Sequence, residues 1–411
     1  MKKGIELSEA RKIIQNNIKD FPAETTGIEA AAGRVLAVDI KAPIDHPPFA
    51  RSPLDGFALR AVDTKGARAD SPLELKIVAK TYAGDEPADK ISSGQAVRIM
   101  TGAPMPAGAD SVIRQEETSW QNDVVKIMKE LQPGQNYAPA GEDIKKGELL
   151  CKAGTLLRSP QIGVLASMGI AEVKTRPLPR AGVITTGNEL KPVGEELTPG
   201  KIYNSNNYLF ASRLDECGAE VVDSSVVQDE KEKIQAKIAS MMPECEIIIT
   251  TGGVSVGEKD LMLDLLEDMG AEIFFWKIGL KPGTPIICAK IKDKLLFCLS
   301  GNPAAAVITF DLLVRPALIA INGFKHVALQ EDEAVFIDEF NRPSKKRRLL
   351  RAIFVKSEQD NIVKLGRGKQ RPGVLKTTLE SNCLIDIPAG SPPLKPGDKV
   401  KVLKLPVLYN Y

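Results

Sequence analysis

The chain has 411 residues, 43% of them apolar and 26% charged, the balance of a globular protein in water. Its 55 Lys and Arg against 53 Asp and Glu leave a net charge of +2, which argues against nucleic-acid binding over a broad basic face. Two histidines, His46 and His326, exclude a His-rich metal centre, and six cysteines with no C-x-x-C pair remove the spacing signal of zinc and dithiol sites.

The length predicts roughly two to four domains. Scattered cysteines in a long chain read as reduced thiols in the cytoplasm. Charges follow Met1-Lys2-Lys3 where a signal peptide needs an apolar run, so no targeting segment is expected.

In chain order, Ala10, Ile13, Ile14 and Ile18 have helical spacing within Ser8 to Asp20, with Ser8 as the expected N-cap. From about Arg34 to Arg158, short β-branched runs such as Leu75–Val78 and Ala96–Met100 alternate with Gly/Pro turns and predict irregular β structure. Between 179 and 326 strands alternate with helices. Ala181–Thr185, Glu220–Asp223, Glu246–Thr250 and Leu295–Cys298 are the strands; Asn206–Cys217 and Asp229–Met241 are helices. This predicts a three-layer α/β/α domain whose ligands bind beyond the carboxyl ends of the strands. Ala304 to Ile321 is the most apolar stretch, but Asp311 and Arg315 lie near its middle, so it reads as a buried helix and no membrane span is expected. From 327 to 411 the pattern predicts a small C-terminal β barrel, with Lys345-Lys346-Arg347-Arg348 as a solvated face beside a strand. The expected borders are therefore 1–178 for a β-rich N-terminal and linker region with room for two lobes, 179–326 for the α/β domain and 327–411 for the barrel.

Three loops fall at strand ends. Thr250 to Asp260 holds Gly252, Gly253, Ser255 and Gly257, and glycines with hydroxyls before a helix make an anion cradle. Thr186-Gly187-Asn188-Glu189-Leu190 adds an acid whose simplest role is to cap the next turn. Ser300-Gly301-Asn302-Pro303 is foremost a helix start, with Asn302 as N-cap and Pro303 at the first position. A fourth stretch, Trp276 to Pro285, places Lys277 and Lys281 around a turn, where lysines are usually only solvated. In the N-terminal half, Asp55 follows a proline-rich entry and Asp143 lies in a second acidic turn; both read most simply as turn residues, and His46 as structural.

Taken in order, Ser52–Ala58, Met100–Pro104, Gly141–Ile144, Thr186–Leu190, Gly252–Gly257, Lys281–Gly283 and Gly301–Pro303 form a set that resembles the molybdopterin molybdenumtransferase family, which includes the E domain of gephyrin. The resemblance spans nearly the whole chain. It implies a central molybdopterin-binding domain and an elongated homodimer whose cleft lies between that domain and the partner's N-terminal region. The implied reaction takes adenylylated molybdopterin and molybdate, assisted by Mg²⁺, and releases AMP. The adenylylated substrate implies a molybdopterin adenylyltransferase as upstream partner.

On this resemblance, Thr186, Gly187, Gly252, Gly253, Ser255, Gly257, Gly301, Asn302 and Pro303 bind the pterin substrate. Glu189, Asp229 and Asp260 are the expected Mg²⁺ ligands, and Lys277 and Lys281 hold oxyanion or phosphate charge. Asp55, Thr101 and Asp143 serve the cleft from the partner's side. The sequence departs from the family pattern at Ser300, at Thr284 and Ala305, where a lysine and a serine are common, and at Asn204, where an aspartate is usual. Two other readings fit the same motifs: a catalytically inactive molybdopterin-binding scaffold, and the same reaction with tungstate. The retained acids argue against a scaffold.

Overall fold

The computed structural model describes residues 1–254, 261–324 and 328–406. They form two compact units. One comprises Met1–Thr25, Gly33–Ala37 and the chain from Lys174 onward; the other comprises Thr26–Ala32 and Val38–Val173.

The first unit is built on a seven-stranded sheet. Its strands are β1 (Lys2–Ile5), β2 (Arg180–Thr186), β3 (Glu220–Val227), β4 (Ile247–Thr251), β5 (Glu272–Ile278), β6 (Ile286–Ile291) and β7 (Lys294–Leu299), in the order β1-β5-β6-β7-β4-β2-β3. The run β7-β4-β2-β3 is parallel, while β6 is antiparallel to both its neighbours. β1 pairs parallel with β5, Lys2 opposite Phe275, so the chain start belongs to the central sheet rather than to the N-terminal region in which the sequence placed it.

The sheet is buried on both faces, as its apolar strands require. In β4, Ile247 and Ile249 join one core and Ile248 the other, following the two-residue period of a strand. Helices α1 (Leu7–Asn16), α2 (Asn206–Glu216) and α5 (Pro303–Ile321) contribute Ala10, Ile14, Phe210, Leu214 and Leu313 to the first core. Helices α3 (Lys231–Met241) and α4 (Leu261–Asp268) bring Ile234, Ile238, Leu265 and Leu266 to the second. The result is the expected three-layer α/β/α domain. Ser8 is not the cap of α1: the helix begins at Leu7, and Glu6 precedes it in an extended conformation with no side-chain cap.

α5 is long and apolar enough to cross a membrane, yet 83% of its apolar window is buried inside the protein, which makes it a core helix. A π turn interrupts it at Phe310–Val314. There Asp311, 1% exposed, accepts a hydrogen bond from Nη1 of Arg213 at 2.6 Å.

The C-terminal part of this unit is a closed barrel of β8 (Glu331–Phe336), β9 (Arg347–Val355), β10 (Ile362–Leu365), β11 (Cys383–Ile387) and β12 (Lys399–Lys404), ordered β9-β10-β8-β12-β11 and closed by β11 on β9. The basic cluster at its entrance is only partly solvated. Arg347 makes a two-pronged pair with buried Asp386, Nε to Oδ1 at 2.8 Å and Nη2 to Oδ2 at 2.6 Å, and Arg348 donates to Ser344. Lys345 and Lys346 remain exposed.

The second unit carries a six-stranded sheet in the order Ser111–Arg114, Gly56–Leu59, Gln95–Ile99, Leu73–Thr81, Val124–Ile127, Thr118–Gln121. Phe57 and Ile113 lie in one of its cores and Ala58 and Val97 in the other. This is the β-rich region the sequence predicted.

Candidate active site

Because β7, β4 and β2 are adjacent and parallel, their carboxyl ends release three loops side by side. The loops enclose a cavity of about 630 Å³. Thr186, Gly187, Glu189, Asp229, Gly252, Gly253, Gly301, Asn302 and Pro303 all line it. Residues to which the sequence reading gave no site role complete the wall: Tyr203, Asn204 and Asn206 before and at the start of α2, and Gly373 and Leu375 from the loop that follows β10. The polar run Asn204-Ser205-Asn206-Asn207 at a helix start was the available signal for the asparagines. Nothing local marks Gly373 and Leu375, which reach the cavity only through barrel packing.

The loops approach so closely that glycine is required at their centre. Gly252 has φ +98°, and a Cβ on it would lie 2.3 Å from the carbonyl oxygen of Thr186. Gly301 packs against the same point, its would-be Cβ 3.5 Å from Cα of Gly252. The Gly252 N–H donates to the Leu299 carbonyl, which joins two of the loops. Asn206 ties in the third element: its Nδ2 donates to the Gly301 carbonyl at 3.0 Å and to Thr251 Oγ1 at 3.3 Å.

The wall holds buried polar atoms with no protein partner. Oγ1 of Thr186, Nδ2 of Asn204 and Oδ1 of Asn206 are all of this kind. Native interiors rarely tolerate such atoms, so their gathering around one cavity marks a place where a polar ligand completes the bonding.

Two carboxylates stand at the rim. Glu189 folds back so that its oxygens lie 2.8 to 2.9 Å from where a Cβ of Gly187 would sit. Asp229 is exposed, and its backbone N–H donates to Oδ1 of Asn188 at 3.4 Å, which links the two acidic loops. Among the described residues no three His, Cys, Asp or Glu side chains gather as a metal cage. Asp260, Ser255 and Gly257 lie outside the described residues.

The other expected residues lie elsewhere. Lys277, at the end of β5 with φ +67°, places its ammonium 3.7 Å from the centre of the Trp276 ring. Lys281 is exposed, and neither lysine is in the cavity wall. In the other unit, Oδ1 of Asp55 accepts both the N–H and the hydroxyl of Thr101, at 2.7 and 2.8 Å. These bonds, the backbone one foremost, hold the Asp55 carboxyl below the usual carboxylate range. Asp143 is exposed in its turn, with its N–H donating to the His46 carbonyl.

A parallel α/β core whose carboxyl-end loops enclose a polar, glycine-lined cavity belongs to the class of three-layer α/β proteins that bind ligands at this end of the sheet. Comparison with known proteins makes this specific. Residues 5–169 match the MoeA N-terminal region (domain I and II), 182–320 a probable molybdopterin binding domain, and 333–405 the MoeA C-terminal region (domain IV). The chain is 35% identical over 399 residues to a molybdopterin molybdenumtransferase from Staphylococcus aureus, covering 97% of this chain and 95% of that protein, and 34% identical to one from Staphylococcus epidermidis over the same shares. A solved molybdopterin biosynthesis MoeA protein from Pyrococcus horikoshii is 33% identical with a TM-score of 0.84, covering 98% of this chain and 99% of that one. A second such structure is 28% identical with a TM-score of 0.76, covering 98% and 100%. The chain belongs to the molybdopterin molybdenumtransferase family and is an enzyme of molybdenum cofactor biosynthesis.

Proposed function

We propose that the chain inserts molybdenum from molybdate into molybdopterin, that the form it binds is adenylylated, and that AMP leaves during the reaction. The observation that carries this reading is the convergence of three strand-end loops on one cavity whose buried polar atoms lack partners. Glycines 252 and 253, both at positive φ, let a phosphate approach the backbone where a side chain would bar it. Bulky Ile202 and Tyr203 flank the cavity, and the Tyr203 hydroxyl is held by the Glu195 carbonyl at 2.9 Å, which steadies an aromatic face beside a flat ligand.

Mg²⁺ suits the donor set, because it takes one or two carboxylates and keeps several waters. Glu189 and Asp229 would hold it, and it would neutralise charge on the phosphoanhydride. The protein's own residues position the substrate: Asn206 fixes the Gly301 loop, and Asn188 fixes Asp229. Lys277 and Lys281 are the cations we assign to the oxyanion, and we assign Asp55, Thr101 and Asp143 to the cleft from the partner's side. We further infer a homodimer, an upstream adenylyltransferase that supplies the capped substrate, and a cytoplasmic location in keeping with six cysteines outside any disulfide, five of them buried.

The test is AMP release from adenylylated molybdopterin with Mg²⁺, run in parallel with molybdate and tungstate. Release above the enzyme-free control supports the proposal. No release, from protein that still binds molybdopterin, replaces it with a binding scaffold.

A further inference from the structure

A short ribbon where the barrel meets the α/β layers keeps its unneutralised charge on a single face. Leu280–Lys281 pairs parallel with the start of β9, Leu280 opposite Arg347 and Lys281 opposite Arg348. Partners in register point the same way and successive residues alternate, so Arg347 goes to one side and Lys281 with Arg348 to the other. On its side Arg347 is neutralised by Asp386. On the other side Lys281 and Arg348 stand on strands about 4.8 Å apart. Among the described residues neither forms an ion pair. Burial and, after it, the exposed Arg342 nearby lower the Arg348 guanidinium from its ordinary value, with no carboxylate to offset them. Like charges set opposite each other destabilise a sheet, and an anion between them reverses the sign.

Arg348 is aimed rather than loose. Its Nε donates to Oγ of Ser344 at 2.9 Å, on a residue 2% exposed, and its guanidinium lies 5.3 Å from the centre of the Phe340 ring. Nη1 and Nη2 make no bond to the described residues, so the outer fork is left for a ligand. The ribbon also leads to the cavity. Gly283, in the turn that follows Lys281, packs on α5, its would-be Cβ 2.6 Å from Cγ2 of Thr309 and 3.5 Å from the Ala305 carbonyl oxygen. Ala305 lies in the first turn of that helix, whose Pro303 lines the cavity. In the same turn Thr284, at the position where a lysine is common in the family, carries no charge and spends its hydroxyl on the Leu280 carbonyl.

We propose that Lys281 and Arg348 form a two-cation seat for a tetrahedral oxyanion beside the cavity, in which Arg348 supplies the charge that Thr284 lacks. The fork of Nη1 and Nη2 engages two oxygens of one anion and the ammonium a third. The inference rests on the reading that the chain takes up molybdate, and adds to it a residue from the barrel.

Molybdate binding to the full chain is measured by equilibrium dialysis, and the molybdate KM by AMP release. Arg348→Met keeps the apolar stem and removes the charge. It should raise the molybdate Kd and KM about 10- to 100-fold and leave the KM for adenylylated molybdopterin as it was, and Arg348→Lys should recover much of the loss. Adding Thr284→Lys to Arg348→Met returns a cation to the turn and should restore molybdate affinity, which a merely structural role for Arg348 would not allow. Unchanged molybdate affinity in Arg348→Met overturns the proposal, as do equal weakening of both substrates and a double variant no better than Arg348→Met. Wild-type protein that binds molybdate through Arg348 but releases no AMP upholds the seat and removes the reaction; AMP release indifferent to Arg348 does the reverse. The thermal midpoint is recorded throughout, and if Arg348→Met unfolds, Arg348→Gln is read by the same criteria.

Discussion

The Cα of Gly252 points its missing side chain straight at the carbonyl of Thr186, 2.3 Å from where a Cβ would be. Two loops that begin on different strands therefore share a contact that only a glycine allows. Gly252→Ala must move backbone rather than a side-chain tip, and it also strains a φ of +98°. Gly194→Ala supplies the control, because it has a similar φ of +96° with nothing within 4 Å of the added carbon. Denaturant melts should place Gly194→Ala about 1 kcal/mol below wild type and Gly252→Ala clearly lower still. Molybdopterin binding should suffer only in the second. Equal costs would show that the loop junction has slack.

Glu189 and Asp229 stand at one rim and differ in how they are held, Asp229 being tethered through its backbone to Asn188. Glu189→Gln and Asp229→Asn should each slow AMP release by about tenfold or more, the scale for losing one electrostatic contact in an active site. The Mg²⁺ concentration for half-maximal rate should rise in both. A titration of rate against Mg²⁺ that is unchanged in either variant removes that residue from the metal.

Asp311 is buried in the π turn of α5, and burial, the largest influence, raises its carboxyl to about 6 despite Arg213 and Arg315 nearby. A folded value above the unfolded one means the folded state holds the proton more tightly. The contribution to stability is then fully present below about pH 4 and is lost as pH rises through about 6. Asp311→Asn cannot titrate. The stability of wild type relative to that variant should therefore shrink between about pH 4 and pH 6 in urea melts. A difference that fails to shrink across this window would mean that the Arg213 pair keeps Asp311 ionised throughout.

The Asp55 carboxylate gains two bonds from one residue, the N–H and the hydroxyl of Thr101. Thr101→Val removes the hydroxyl and should raise the Asp55 titration midpoint toward its ordinary value, whereas Thr101→Ser should keep it low. Carboxyl chemical shifts followed against pH distinguish the two. No rise in the valine variant would assign the whole effect to the backbone bond.

In the barrel, Asp386→Ala leaves the guanidinium of Arg347 without its two-pronged partner at a site where Asp386 is 7% exposed. Removing one member of such a pair costs roughly 3 kcal/mol, read as a lower urea midpoint. A loss within a few tenths would return Arg347 to the solvated face that the sequence suggested.

Period and punctuation made much of this protein legible before any coordinates. All-apolar Ile247-Ile248-Ile249 demands cover on both faces, so a buried strand in a layered sheet follows from composition alone. A strand running into Gly252-Gly253, or into Asn302-Pro303, announces a loop at a carboxyl end, because glycine and proline act through their own backbones. Those signals are local, and the three loops they mark do meet.

What the tertiary structure alone decided concerns partners far apart in the chain. β1 lies beside β5 across some 270 residues, Gly373 and Leu375 reach the cavity from the barrel, and Arg347 finds Asp386 across a sheet. No periodicity encodes such pairings, since they are chosen by which surfaces remain uncovered once the local elements have formed. The same holds for two asparagines of the cavity wall. The sequence shows that Asn204 and Asn206 are polar residues at a helix start, but only the packing of Asn207 and Gly301 against them selects which atom of each carboxamide is left for a ligand.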